Sequence, residues 1–161
     1  MDKREVITTA IEVLRQQRMD AQDRFEKTRA AIIDAPGAMQ SYSDTTRYQL
    51  GRIADDLNRL ISETSDTLRA FDYFLRSAFG KPPDRVRIAS LVETEDHDGR
   101  TVWYLIFGRG GGLDFECQGH RCLVITPATP IAQGLIGLEE GDVAEIATAP
   151  GIRRLTIKDI G

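Results

Sequence analysis

Apolar residues in the first half of the chain recur at intervals of three and four. Ile7, Ile11, Leu14, Ala21, Phe25 and Ile32 fall on one heptad, whose slots at 18 and 28 hold Arg18 and Thr28. Further on, Leu50, Ile53, Leu57, Leu60, Thr64, Leu68, Phe71 and Leu75 repeat the pattern, while Arg, Lys, Asp and Glu occupy the remaining positions. Such spacing predicts two amphipathic helices, each with a narrow apolar stripe. Joined by a short break, they are expected to fold back as an antiparallel coiled-coil hairpin. An arm of about 30 residues, at 1.5 Å per residue, is roughly 45 Å long. The competing arrangement, two helices within a compact bundle, needs a third helix to cover them, and none follows.

The second half changes period. VRIASLVET (86–94), TVWYLIF (101–107), LDFEC (113–117), RCLVIT (121–126), DVAEIAT (142–148) and RRLTIKDI (153–160) are short, rich in β-branched and aromatic residues, and bounded by turn signals. Asp98-Gly99, the run GRGGG at 108–112 and Gln118-Gly119-His120 read as hairpin turns. Between strands, residues 129–137 read as one short helix with Thr129 as N-cap, Pro130 as first helical residue and Gly137 as stop. The expected fold class is α+β: an N-terminal helical hairpin, then a small antiparallel sheet with one helix on a face.

The break between halves lies at KPPD, because a residue before proline is driven out of the helical region. This spacing predicts a hairpin domain over 1–80 with its tip at about 34–48, a linker at 81–85 and a sheet domain over 86–161. Of the 161 residues, 41% are hydrophobic and 29% charged, as in globular chains. No apolar run is long enough to span a bilayer, and the N-terminus lacks the apolar core of a secretory signal. The net charge of −4 argues against wrapping duplex DNA, so no sequence-specific DNA binding is expected. Cys117 and Cys122 read as reduced thiols in a cytoplasmic protein.

The segment Ile125-Thr-Pro-Ala-Thr129-Pro130-Ile131-Ala132-Gln133-Gly134-Leu135-Ile136-Gly137-Leu138-Glu139-Glu140-Gly141-Asp142 resembles the helix-and-turn signature of the bacterial Gre family of transcript-cleavage factors. Val86–Val92 is similar to that family's first strand and Ile152–Ile157 to its last, whereas over 1–80 the likeness is one of architecture. The resemblance implies an FKBP-like sheet domain that docks at the rim of the RNA polymerase secondary channel. On this chain the docking signature is Thr129, Pro130, Ile131, Leu135, Gly137, Gly141 and Asp142. It further implies a coiled coil that enters the channel and approaches the 3′ end of the nascent RNA. There, tip acids help hold a second magnesium ion at the polymerase active site. The factor speeds the polymerase's own hydrolysis and is not itself an enzyme; its only implied cofactor is that shared Mg²⁺. Two metals stabilise the attacking and leaving oxygens together, and hard Mg²⁺ prefers carboxylates.

The family tip resembles Gly-Asp-Leu-Ser/Lys-Glu-Asn-Ala-Glu-Tyr, with its first Asp and first Glu the functional pair. Residues 40–48 align with it without gaps: Asp44 stands at the Glu, Tyr48 at the aromatic, Ser41 at the first Asp and Arg47 at a further acid. One carboxylate of the pair remains, and Asp34 is the nearest substitute for the other. Ser41 through Asp44 also has capping-box spacing, which gives Asp44 a structural role in the first turn of the second helix. An altered tip on an intact docking domain implies a modulator, or a competitor of other channel-binding factors, in which Arg47 and Arg52 face polymerase acids or RNA.

Competing classes are a non-transcriptional FKBP-like protein-binding module and a zinc regulator built on Cys117, His120 and Cys122. The zinc reading has three ligands where a closed site takes four, and the strand-turn-strand pattern favours ordinary sheet cysteines. GRGGG lacks the Gly-Lys-Ser/Thr of a phosphate loop and precedes a strand. Trp103, Tyr104 and Phe107 read as core.

Overall fold

The computed structural model describes residues 1–34, 41–77, 80–148 and 151–161, and of residues 41–44 and 148 the backbone alone. Helices α1 (Lys3–Asp34) and α2 (Ser41–Arg76) run 32 and 36 residues. Six strands follow: β1 (Leu91–Asp96), β2 (Thr101–Ile106), β3 (Asp114–Cys117), β4 (His120–Ile125), β5 (Val143–Thr148) and β6 (Gly151–Ile160). Helix α3 (Pro130–Leu135) lies between β4 and β5. The chain divides into two compact units, one of Ile11–Phe71 and one of Met1–Ala10 together with Asp72–Gly161. The division therefore falls along α1 and α2 rather than at residues 81–85.

In the helical unit the α1 stripe lies where its heptad puts it: Ile11, Leu14 and Ala21 are buried, and Arg18, Phe25, Thr28 and Ile32 are half-buried. The α2 stripe keeps Leu57, Thr64, Leu68 and Phe71 buried as expected and departs from the expected positions at two slots. Ile53 and Leu60 are each 46% exposed, and the buried positions are Ala54, Leu57, Thr64, Thr67, Leu68 and Phe71. The series 50-54-57-61-64-68-71-75 keeps a strict 4-3 alternation, and Ala54 is inconspicuous beside the larger Ile53. Once small and polar residues fill slots, side-chain size is a poorer guide to the seam than spacing.

In the other unit, Arg4 Nη1 donates to Leu75 O at 3.2 Å, which sets the start of α1 beside the end of α2, as in an antiparallel pair. The sheet order is β3-β4-β2-β1-β6-β5. All pairings are antiparallel except β2 with β4, so the wholly antiparallel sheet expected from the sequence is corrected to a mixed one. The glycine run at 108–112 is accordingly not a hairpin turn between neighbours: β4 inserts between β2 and β3. Strand composition explains the order, since β3 alternates exposed and buried residues and suits an edge, while β4 carries the apolar run of a strand covered on both faces. Gln118 (φ 53) and Gly119 (φ 76) form the two-residue left-handed turn between them.

The expected first strand starts five residues late. Residues 86–90 are irregular, and Ala89 sits at φ 71. Its N–H donates to Ile106 O (2.7 Å), so the segment is tied to the end of β2 instead of extending β1.

Strand β2 is buried over its last four residues, and its side chains alternate between two layers. Tyr104 and Ile106 join Val92, Leu155 and Ile157 in a core closed by Ala132 and Leu135 of α3. Trp103 pairs with Cys122 in register, on the face where the start of α1 packs: Thr9 Oγ1 lies 3.6 Å from Cys117 Sγ and Met1 Sδ lies 4.0 Å from Cys122 Sγ. Phe107 packs against Phe74, with ring centroids 5.3 Å apart and the ring planes tilted by 49°.

Candidate functional site

Three regions carry the candidate chemistry. At the tip, Asp34 is the exposed last residue of α1, and residues 35–40 lie outside the described residues. Helix α2 begins at Ser41, so positions 41 and 44 stand three apart in its first turn; whether Ser41 caps the helix also lies outside what is described. A carboxylate in a first turn interacts favourably with the positive end of the helix dipole, and a cation there does not. Arg47 is half-buried, with Nε shielded from solvent, at the slot that continues the α2 stripe by one step of three. Tyr48 is 68% exposed and Arg52 is exposed. Among the described side chains the tip thus presents the acid Asp34, the aromatic Tyr48 and Arg52, all exposed, with Arg47 half-buried toward the seam.

Around α3, most signature residues build the fold. Thr129 caps the helix: its Oγ1 accepts from Ala132 N (3.3 Å) and donates to Thr126 O (2.8 Å). Pro130 is exposed at the first helical position, Ile131 packs at the core margin, and Leu135 is fully buried. Gly137 adopts φ 93, a backbone region that costs other residues a steric penalty, and its N–H reaches Val86 O at 2.8 Å. Gly141 (φ 90) donates to Ile157 O at 2.9 Å, and Asp142 Oδ2 accepts from Glu139 N at 2.9 Å, closing the turn into β5. What remains accessible beside this framework is Pro130, Ile136 (39% exposed) and the ion pair of Arg85 with Glu139 at 2.6 Å. Sequence reasoning missed Ile136 and the Arg85–Glu139 pair. The pair joins residues 54 positions apart and left no local signal. Val143 and Ile152 are exposed on β5 and β6, and the alternation within β5 was the available sign of the first.

The third region is the cysteine hairpin. Cys117 and Cys122 are buried and reduced, and His120 is exposed. Burial, helped by the neighbouring Cys117, pushes the Cys122 thiol up to about 11, whereas a metal-ligating thiolate needs the reverse. Among the described residues, the one group of three potential ligands that converges is Asp96, His97 and Asp98, in the exposed turn between β1 and β2. Asp96 there accepts the backbone N–H groups of Asp98 and Arg100, both at 3.0 Å, and those bonds, Arg100's first, hold its carboxyl below the usual range. Its job in the turn is therefore structural.

A family model described as transcription elongation factor GreA/GreB, C-terminal, matches residues 81–161. The transcription elongation factor GreA of Pelagibacter ubique is 27% identical over 168 aligned residues, spanning 99% of this chain and 98% of the relative. The protein of the same name from Verminephrobacter eiseniae is 40% identical over 74 residues, 45% of this chain and 43% of the relative. Among solved structures, GreA factor homolog 1 (Gfh1) of Thermus thermophilus aligns over 94% of each chain at 19% identity, with a TM-score of 0.37.

Proposed function

Because the chain belongs to the GreA/GreB family of transcription elongation factors, we propose that it binds RNA polymerase, its sheet unit docking at the rim of the secondary channel and its helical hairpin entering it. The observation that carries this reading is the family match over the whole of 81–161, in a chain that begins with paired helices of 32 and 36 residues. The factor acts on the polymerase's own RNA hydrolysis and does not perform chemistry itself. The exposed strip of Pro130, Ile136 and the Arg85–Glu139 pair offers an apolar centre with a polar margin, a suitable composition for docking.

We further propose that the tip modulates elongation, or competes with other channel-binding factors, rather than driving strong cleavage. A shared Mg²⁺, when bound, would polarise the attacking water and neutralise charge on the leaving oxygen. Asp44 is the residue that would face it. Ser41 supplies no carboxylate, and the dipole at the start of α2 favours an anion over a cation, so the donor set is one acid short.

The test is RNA cleavage in a stalled, backtracked complex, preceded by a polymerase-binding measurement. Binding is expected with weak cleavage, which Ser41→Asp raises at least about tenfold, the factor that about 1.4 kcal/mol of transition-state stabilisation provides. Strong cleavage that Asp44→Ala abolishes would sink the modulator reading, and failure to bind polymerase would sink both.

A further inference from the structure

In the sheet-bearing unit, the start of α1, the end of α2 and the segment leading to β1 enclose a cavity of about 310 Å³. Three of its wall residues are cations, Lys3, Lys81 and Arg87, and none is acidic. That is a local reversal in a chain whose net charge is −4. Arg85, Arg121 and Arg154 each meet a carboxylate at hydrogen-bonding distance, yet among the described residues neither Lys81 nor Arg87 is paired with one.

We propose that this cavity binds a small polyphosphate anion, either inorganic or carried on a nucleotide. Two ammonium groups and a guanidinium fork match an anion of charge two or more bearing several acceptor oxygens, and a single carboxylate would leave positive charge over. The volume lies at the low end of the range for small-molecule sites, about 300–1,000 Å³.

The wall is built around this charge. Lys3 Nζ donates to Ala89 O at 2.9 Å, and Ala89 is one of two non-glycine residues in the left-handed region among the described residues. Burial, and then the nearby Arg87, lower the Lys3 pKa, so the ammonium is held where an anion would relieve its cost. An apolar flank adjoins the cations: Phe74, steadied by its contact with Phe107, and Ile88, which is 58% exposed. The flank is what separates the two sources, because inorganic pyrophosphate cannot use it and a nucleoside can.

The experiment is calorimetric titration of the full chain with pyrophosphate and, separately, with ATP, at matched ionic strength in chloride. Saturable one-to-one binding is expected for at least one of them, weakened at least tenfold in both Arg87→Ala and Lys81→Ala. Neither side chain lies in the core, and ligand-free melting temperatures check directly that both variants fold. Arg24→Ala, an exposed change in the helical unit, is expected to leave affinity unchanged. Tighter binding of ATP, reduced by Ile88→Ser, identifies a nucleotide; equal affinities identify a free polyphosphate. Backbone amide shifts at residues 81 and 87 on titrating the wild type locate the site without any substitution. Absence of saturable binding by both anions overturns the proposal, as does an affinity that Arg24→Ala lowers as much as Arg87→Ala. None of these outcomes depends on polymerase.

Discussion

At the scale of single residues, two side chains sit where the pattern around them asks for something else. Arg18 occupies an apolar slot of the α1 stripe, and its Nε is buried without a hydrogen-bond partner among the described residues. An unsatisfied buried donor costs about 1–3 kcal/mol, while its apolar stem already contributes packing that leucine would retain. Arg18→Leu is therefore expected to stabilise the helical unit by about 1 kcal/mol, read as a higher denaturant midpoint of the helical signal. An unchanged or lower midpoint would mean that the guanidinium supports the seam. Cys122 is the second case. Its folded-state pKa is raised from 9.0 to about 11, so the native state holds its proton more tightly than the unfolded chain does. The stability this confers is complete below pH 9 and is lost as pH rises toward 11. Wild type is expected to lose stability over that window faster than Cys122→Ala. In native protein at about pH 8, thiol reagents should label Cys122 no faster than the chain opens; rapid labelling would contradict both its burial and its raised pKa.

At the scale of elements, α3 shows what a signature can mean. With six residues it is too short to stand alone, and it persists through the Thr129 cap, the Pro130 start and the burial of Ala132 and Leu135. Thr129→Ala removes the acceptor for Ala132 N and is expected to cost about 1 kcal/mol of unfolding free energy. Thr129→Ser, which keeps the acceptor, should restore most of it, and equal losses in the two variants would refute the capping role. This helix was legible residue by residue because cap, proline and stop glycine are local signals. The two-residue turn at Gln118-Gly119 was legible for the same reason. Strand order was not: whether β3 or β4 pairs with β2 depends on which of two neighbouring segments wins a place covered on both faces, a choice made between segments rather than within one. The phase of α2 was partly legible: Leu57, Thr64, Leu68 and Phe71 are buried where the heptad puts them, but Ile53 and Leu60 stand beside the slots that Ala54 and Ile61 fill. At the tip, Asp44 and the missing partner at Ser41 were legible from the residues alone, and the structure adds their position in the first turn of α2.

At the scale of the whole molecule, the family match and the compact unit have different boundaries. The match begins at residue 81, while the unit that holds the sheet also contains Met1–Ala10 and the end of α2. The first turns of α1 are part of that unit's core: Val6, Ile7 and Ala10 are fully buried, Thr9 meets Cys117, and Gln118 Nε2 donates to Glu5 Oε2 at 2.6 Å. Removing a buried valine and isoleucine forfeits about 1.5–3 kcal/mol each, a large part of the about 5–15 kcal/mol that holds a typical domain together. A fragment of residues 81–161 is therefore expected to melt well below the full chain and to expose Cys117 to thiol reagents. Joining residues 1–12 to 70–161 through a short linker, which discards most of the hairpin, should recover the melting transition and thiol protection. Both shortened chains are read by thermal unfolding and by thiol labelling under native conditions. If the 81–161 fragment matched the full chain in both, the sheet would be self-sufficient and the helix roots mere attachments. If only the joined chain matched it, the start of α1 would be a layer of the sheet unit that happens to lie at the other end of the sequence.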